Sequence, residues 1–268
     1  MNPRALAAWS AACLFAALAT TDPVYRALLA VVALNVVVVT ARPGAPRRSL
    51  LIAILSAGLL AVPLNLLLSR SGDHHLLETF FGPLTLEALV FGAGIGLGLV
   101  AAGLAVAPLT LAYEPGELVD ALPAPLERIG TVVAASLGLV PRLVDSFVAV
   151  REAQQMRGWR PSLRSLPEVA VPALLTAIEG AVDVAEAMEA RAYGSGPRTT
   201  FSGPRWSAAD SAVLLVAVLA LAAFIVDRPA QWYPYPSLTW PPADPILVAA
   251  TLVLSLPALL WRSRPSAA

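Results

Sequence analysis

Two stretches in the middle of the chain place an arginine where a helical pattern gives way to helix-ending residues. The first contains Arg157 followed by Gly158, and the second contains Arg191 followed by Ala192, with glycine and proline a few residues on. A guanidinium at a helix end can donate two parallel hydrogen bonds to a carboxylate on a partner. The same residue types also terminate helices, since a cation suits the negative end of the helix dipole and glycine adopts positive φ. Either end alone is explained by termination, but two such ends favour a pair of docking points.

Four glycines alternate within one apolar stretch, at Gly92, Gly94, Gly96 and Gly98. A phosphate-binding loop would need a preceding strand and a lysine, and all 18 basic residues of the sequence are arginine. Small residues four positions apart instead let membrane helices pack closely. We therefore predict helix packing at these glycines, against a helix of this chain or of a partner subunit.

The absence of lysine also limits the chemistry of the chain. Neither a Walker A loop nor a Schiff base can form without lysine, so any ATP that drives this protein must bind another chain. The single cysteine, Cys13, excludes an internal disulfide and a thiolate metal site. A formal net charge of zero gives no argument for nucleic-acid binding. We expect no cofactor, no catalytic residue and no nucleic-acid partner.

The two histidines, His74 and His75, lie side by side in a predicted loop with Asp73 and Glu78. Adjacent histidines without regularly spaced ligands are a weak signal for metal, and a solvated loop explains them better. Glu87 lies about one turn inside the next apolar stretch. It is either a functional intramembrane acid or a side chain that reaches the membrane surface, and the sequence does not decide between them.

The composition is that of a membrane protein. Apolar residues make up 57% of the 268 residues and charged residues 13%, against about 25% charged in soluble domains. The mean hydropathy is +0.72. A soluble enzyme is therefore excluded. Length and hydropathy predict an all-α polytopic protein with about six transmembrane helices in the bilayer, near residues 5–21, 24–40, 49–68, 84–112, 207–226 and 245–261.

The distribution of arginine predicts the orientation. With the N-terminus in the cytoplasm, fifteen arginines fall on the cytoplasmic side, and only Arg26, Arg70 and Arg228 fall outside. Cytoplasmic loops collect positive charge, so this arrangement is favoured. We predict a multi-pass protein of the cell membrane with both termini in the cytoplasm.

The charge is concentrated in the middle third of the chain. Residues 113–206 contain nine arginines and eleven acidic residues, more than half of all charged residues. Apolar residues recur there at helical spacing over about 128–158 and 168–192, which predicts two amphipathic helices. The sequence thus divides into about four spans in 1–112, cytoplasmic coupling helices in 113–206 and about two spans in 207–268.

The two arginine-ended helices resemble the transmembrane (T) component of energy-coupling factor (ECF) transporters, the EcfT/CbiQ family. That family carries two Ala-Arg-Gly signatures, which fall here on Met156-Arg157-Gly158 and Ala190-Arg191-Ala192, each with one departure. Further similarity lies in Gly82-Pro83-Leu84-Thr85-Leu86-Glu87, Leu139-Val140-Pro141-Arg142 and Ala187-Met188-Glu189.

The resemblance implies a non-catalytic subunit of an ABC-type importer. Arg157 and Arg191 would each dock into one of two partner ATPase subunits. The flanking residues Glu152, Ala153, Met156, Gly158, Ala190 and Ala192 would support these helix ends. A separate substrate-binding (S) membrane subunit would select the vitamin or metal ion, such as cobalt, so this sequence does not identify the substrate.

Two alternatives remain. Glu152-Ala153-Gln154 with Gly158 approximates the Glu-Ala-Ala loop of conventional ABC importer permeases, followed by Val169-Ala170-Val171-Pro172 one residue late. Such a permease would carry one loop of this kind, not two arginine-ended helices. The other alternative is an integral-membrane enzyme, but the sequence contains neither His-Glu-x-x-His nor Gly-x-Ser-x-Gly.

Overall fold

The computed structural model describes residues 2–69, 73–79, 82–122, 127–160, 162, 165–193, 206–227, 231–234, 239–241 and 244–262. The elements in these ranges are α1 (Pro3–Ala19), α2 (Pro23–Thr40), α3 (Arg47–Leu68), β1 (His75–Thr79), β2 (Gly82–Thr85), α4 (Leu86–Ala112), α5 (Pro115–Asp120), α6 (Glu127–Met156), α7 (Pro167–Ala190), α8 (Ala208–Val226), α9 (Pro245–Val253) and α10 (Leu256–Arg262). The predicted all-α membrane fold is confirmed. The antiparallel hairpin β1–β2 lies in a segment that the sequence predicted as loop.

Among the described residues, α2, α3, α4, α8 and the part of α6 from Val132 to Met156 are long and apolar enough to cross a membrane. Four of the six predicted spans therefore have the required length. The other two predicted spans, 5–21 and 245–261, match the shorter apolar helices Pro3–Ala19 and Pro245–Trp261. α1 has 17 residues, and the stretch 245–261 is divided between α9 and α10. Pro257 explains this division, because it has no amide hydrogen to continue the helical ladder.

Contacts divide the chain into two compact units, one formed by Met1–Glu114 with Pro204–Ala268 and the other by Pro115–Gly203. In the first unit α4 packs against α1, α2 and α3, while α8 packs against α1 and α9. Its core is rich in alanine, which lets helices approach closely. The Trp9 indole N–H donates to the Leu254 carbonyl at 2.8 Å, and so ties α1 to the break between α9 and α10.

The second unit contains α5, α6 and α7. α6 runs without interruption through Pro141 and packs against α7 and α5. The predicted limits of these two helices lie within two residues of the observed ones. Val169 and Ala173 are buried on α7. Many of the large apolar side chains that recur at helical spacing in these two helices remain exposed, among them Val132, Leu137, Val140 and Val144 on α6 and Leu174, Ile178 and Val182 on α7.

Candidate functional site

The C-terminal end of α6 is closed by a Schellman motif, in which the residue after the cap adopts positive φ. The Trp159 amide donates to the Gln154 carbonyl and the Gly158 amide to the Gln155 carbonyl, both at 3.0 Å. Gly158 has φ +83° and directly follows Arg157. The arginine is thus the last residue before the chain turns away from the helix.

The C-terminal end of α7 repeats this geometry. The Tyr193 amide donates to the Met188 carbonyl and the Ala192 amide to the Glu189 carbonyl, both at 2.9 Å. Arg191 is the C-cap residue, and Ala192 adopts φ +54°. Both helices therefore end in an arginine followed by a residue in the left-handed region.

The left-handed position of the second end differs from what the sequence suggested. We expected glycine to take positive φ, but at α7 this conformation falls on Ala192, and Gly194 lies outside the described residues. Among the described residues other than glycine, Ala192 is the only one with positive φ. Its Cβ makes that conformation costly by about 1 kcal/mol. The second end is therefore built like the first but is held less firmly.

Replacing Ala192 with glycine is expected to stabilise the end of α7, because glycine adopts positive φ without the Cβ clash. A gain of about 1 kcal/mol lowers the equilibrium population in which the hydrogen bond from the Tyr193 amide is open by about fivefold, and exchange slows accordingly. Hydrogen–deuterium exchange at Tyr193 measures this. The matched variant Gly158→Ala should accelerate exchange at Trp159. Unchanged exchange in both variants would contradict the role given to the left-handed residues.

Both arginines are accessible to a partner. Arg157 and Arg191 are exposed, and within the described part of the chain neither forms an ion pair. Of the flanking residues that the sequence singled out, Glu152, Ala153 and Met156 on α6 and Ala190 on α7 are also exposed, and Met156 is 85% exposed. The two guanidinium groups are thus available for charge-assisted hydrogen bonds.

The first end is braced by two side chains. The Trp159 indole N–H donates to the Ser165 carbonyl at 3.2 Å, and the Gln154 side-chain amide lies 3.5 Å from the Glu168 carbonyl. These contacts connect the end of α6 to the start of α7. Contacts on both sides of Arg157 therefore fix its place relative to the end of α6 and the start of α7.

The alternating glycines lie in the first unit and face two different helices. α4 crosses α3 where Gly96 meets Gly58, so closely that a Cβ on Gly96 would collide with the Gly58 carbonyl oxygen. A Cβ on Gly92 would lie 3.1 Å from the Val62 carbonyl oxygen of the same helix. The structure therefore places Gly92 and Gly96 in a close contact between α3 and α4.

Gly94 and Gly98 face Arg26 on α2. The Arg26 guanidinium donates to the Gly94 carbonyl at 2.8 Å and to the Thr20 carbonyl at 2.9 Å. A Cβ on Gly98 would lie 2.9 Å from the Arg26 Cζ. The arginine count assigned Arg26 to the outer side of the membrane, and its contact with α4 was not predicted. The available signal was an arginine one turn inside an apolar helix, together with glycines on the next one.

A histidine–carboxylate pair joins the hairpin to α4. Glu87 is fully buried, and His74 Nδ1 lies 2.6 Å from its Oε1. The His74 carbonyl accepts from the Leu86 amide at 3.0 Å. The sequence had left Glu87 between a functional acid and a side chain reaching the surface. The structure gives it a partner across the turn into α4. No cluster of three metal-binding side chains occurs among the described residues.

His74 is expected to titrate at a raised pH, because the hydrogen bond and the negative charge of Glu87 raise the pKa of its imidazole above the ordinary value of about 6.5. Asp73 adds to this shift. The pair therefore stabilises the hairpin fully below about pH 6.5, and this stabilisation is lost as the pH rises through the raised pKa. NMR titration of His74 in a His75→Gln background measures the effect. Glu87→Gln should lower the pKa, and an unchanged titration would refute the pairing.

Comparison with known proteins adds independent evidence. A sequence model of the CbiQ family, described as cobalt transport protein, matches residues 1–201. Curated relatives named energy-coupling factor transporter transmembrane protein EcfT are 33% identical over 131 residues in Listeria innocua, 24% over 178 in Lactococcus lactis and 28% over 178 in Bacillus subtilis. These alignments cover 42%, 60% and 56% of this chain, and 49%, 66% and 67% of the respective relatives. The chain thus spans about half to two thirds of the length of the relatives it matches.

Proposed function

The chain belongs to the CbiQ family of cobalt transport proteins, and we propose from this premise that it is the energy-coupling transmembrane subunit of an ECF-type importer. It would link ATP hydrolysis in two partner ATPase subunits to uptake of a vitamin or metal ion. A separate substrate-binding membrane subunit would select that substrate. The relatives named EcfT support this assignment.

The observation that carries the proposal is the pair of matching helix ends. α6 and α7 both close in a Schellman motif, and each presents an exposed arginine at its C-cap, Arg157 and Arg191. One such end would need no explanation beyond helix termination. Two ends of the same construction suit two equivalent partners, and a pair of ATPase subunits offers two similar grooves. Acidic side chains in those grooves would accept the charge-assisted hydrogen bonds.

The proposed mechanism is mechanical. When the two ATPase subunits close on ATP, the arginine ends that they hold move with them, and rigid helices pass that movement on. The exposed apolar side chains of α6 and α7, such as Val140 and Ile178, support a surface that other subunits cover. This chain has no lysine for a Walker A phosphate loop, which supports assigning ATP hydrolysis to the partner subunits and a non-catalytic role to this chain.

A conventional permease with a Glu-Ala-Ala loop is less well supported. Its candidate loop residues Glu152 and Ala153 lie within α6, and Val169 and Pro172 lie within the first turns of α7. That arrangement gives no role to the second capped arginine at the end of α7.

Isolation of the complex tests the proposed function. Purified from its native membrane, the tagged chain should bring down two ATPase subunits and one further membrane subunit, and the reconstituted assembly should import substrate only with ATP. The chain alone should neither bind nor hydrolyse ATP. Crosslinking of a photoreactive ATP analogue to the isolated chain would overturn the proposal.

The proposed orientation places both termini and the second unit in the cytoplasm. With Cys13 replaced, single cysteines at Pro46, Ser195 and Pro236 should react with a membrane-impermeant reagent added outside only at position 236. The experiment also tests whether α6 crosses the membrane, because its part from Val132 to Met156 is long and apolar enough to do so. External labelling at position 195 would contradict the orientation, since the arginine ends must face the ATPases.

A further inference from the structure

The connection between α2 and α3 concentrates positive charge at a membrane surface. Residues 41–49 contain Arg42, Arg47 and Arg48 within seven positions. The two helices that it joins are both long and apolar enough to cross a membrane, so the connection lies where they leave the bilayer. It lines an open cleft of about 630 Å³, which we call the arginine cleft.

The backbone around the arginine cleft is held in place by α4. The Arg42 amide donates to the Leu111 carbonyl at 3.1 Å, and its Nε donates to the Ala112 carbonyl at 2.5 Å. Ala45 packs against a buried apolar cluster formed by Val37, Ala107 and Leu111. The cleft therefore has its shape before any ligand binds, which lowers the entropic cost of binding.

Two of the three arginines have no acidic partner among the described residues. Arg42 pairs with Glu114 at 3.2 Å. Arg47 and Arg48 are exposed, and their side chains form neither an ion pair nor a hydrogen bond with any described residue. Both lie in the first turn of α3, where the helix dipole disfavours cations. An anion bound here would pair with the two guanidinium groups and would also interact favourably with the positive end of the helix dipole.

An apolar surface continues from these arginines along α3. Ile52, Leu55 and Leu59 follow within about three turns and are 66%, 56% and 73% exposed. A ligand with a negative headgroup and hydrocarbon chains matches this sequence of surfaces, whereas a free anion uses only the first of them. Anionic phospholipids have both parts and attract basic residues at the membrane surface.

We propose that the arginine cleft binds the headgroup phosphate of an anionic phospholipid. Arg47 and Arg48 donate to the phosphate oxygens, and the acyl chains lie along the exposed apolar side chains of α3. The proposal concerns the first unit alone and does not depend on docking of ATPases to the second.

Native mass spectrometry of the full chain in detergent tests the proposal. Delipidated protein is titrated with phosphatidylglycerol or with phosphatidylcholine of the same acyl chains. The wild type should bind phosphatidylglycerol more tightly. Arg47→Gln with Arg48→Gln should weaken that binding about thirtyfold at low salt and bring it close to that of phosphatidylcholine.

The matched control is Arg151→Gln with Arg160→Gln, which removes two exposed arginines from the second unit. It should keep phosphatidylglycerol binding within about twofold of wild type, and both double variants should melt near the wild-type temperature. Equal binding of the two lipids to wild type, or equal loss in both double variants, would overturn the proposal. Displacement of the lipid by equimolar glycerol phosphate would identify a small-anion site and would also overturn it.

Discussion

Reversing Arg157 to glutamate is expected to abolish ATP-driven uptake by the assembled importer while the chain still inserts and folds. The side chain is exposed at the C-cap of α6, so its replacement disturbs no packed surface. Under the proposed function it would turn a charge-assisted pair into a repulsion. Loss of one partner of a buried charge pair costs about 2–5 kcal/mol. That cost corresponds to about thirtyfold to several-thousandfold weaker docking of the ATPase.

The reversal of Arg191 is expected to act in the same direction but more mildly. Its cap has the same hydrogen bonds, yet Ala192 stores backbone strain that glycine would relieve, so this end is more often open and contributes less to docking. The double variant Arg191→Glu with Ala192→Gly should recover no more ATPase than Arg191→Glu alone, because a firmer helix end does not restore the lost positive charge. Ala192→Gly alone should strengthen recovery of the ATPases.

The matched control is Arg151→Glu, an exposed arginine six residues before Arg157 and on another face of α6. This change should leave uptake near wild type, because isolated surface charges contribute about 1 kcal/mol or less. Uptake in reconstituted vesicles and recovery of the ATPases on the tagged chain measure both effects. If both reversals transport normally and retain the ATPases, the arginines only cap their helices and the coupling role is refuted.

The sequence predicted the features that depend on local pattern. Helical spacing located α6 and α7 to within two residues, and the Arg157-Gly158 pair predicted a capped end because glycine is the residue that adopts positive φ at least cost. Hydropathy located the helices of the first unit, although it did not predict that the last span is divided between α9 and α10. These signals lie within neighbouring residues and need no knowledge of tertiary contacts.

Features that join distant residues were not predicted. The contact of Arg26 with Gly94 connects positions 68 residues apart, and His74 meets Glu87 across a hairpin whose strands are only five and four residues long. No periodicity marks such pairs. The positive φ of Ala192 was missed for another reason, since the Schellman bonds of α7 override the intrinsic preference of alanine.

The packing of α3 on α4 gives the largest expected effect on stability. Gly96→Ala should destabilise the first unit, because the added Cβ meets the backbone oxygen of Gly58, which cannot turn aside as a flexible side chain would. The helices must separate along their length. Overpacking of this kind typically costs about 1–3 kcal/mol, and a larger residue such as leucine should prevent accumulation of the folded protein.

Gly94→Ala is the matched control, two residues away on the same helix. A Cβ on Gly94 meets nothing within 4 Å, and the Gly94 carbonyl remains free to accept from Arg26. The melting temperature of Gly98→Ala should lie between those of the other two variants. The Arg26 guanidinium can move away from the added Cβ, but it would then lose its hydrogen bond to the Gly94 carbonyl. Thermal unfolding of the three variants in one detergent ranks them. Because all three changes replace glycine with alanine in α4, they share the same change in helix propensity, so the difference between Gly96→Ala and Gly94→Ala reports packing. If Gly96→Ala and Gly94→Ala have the same melting temperature, the close crossing of α3 and α4 does not stabilise the first unit.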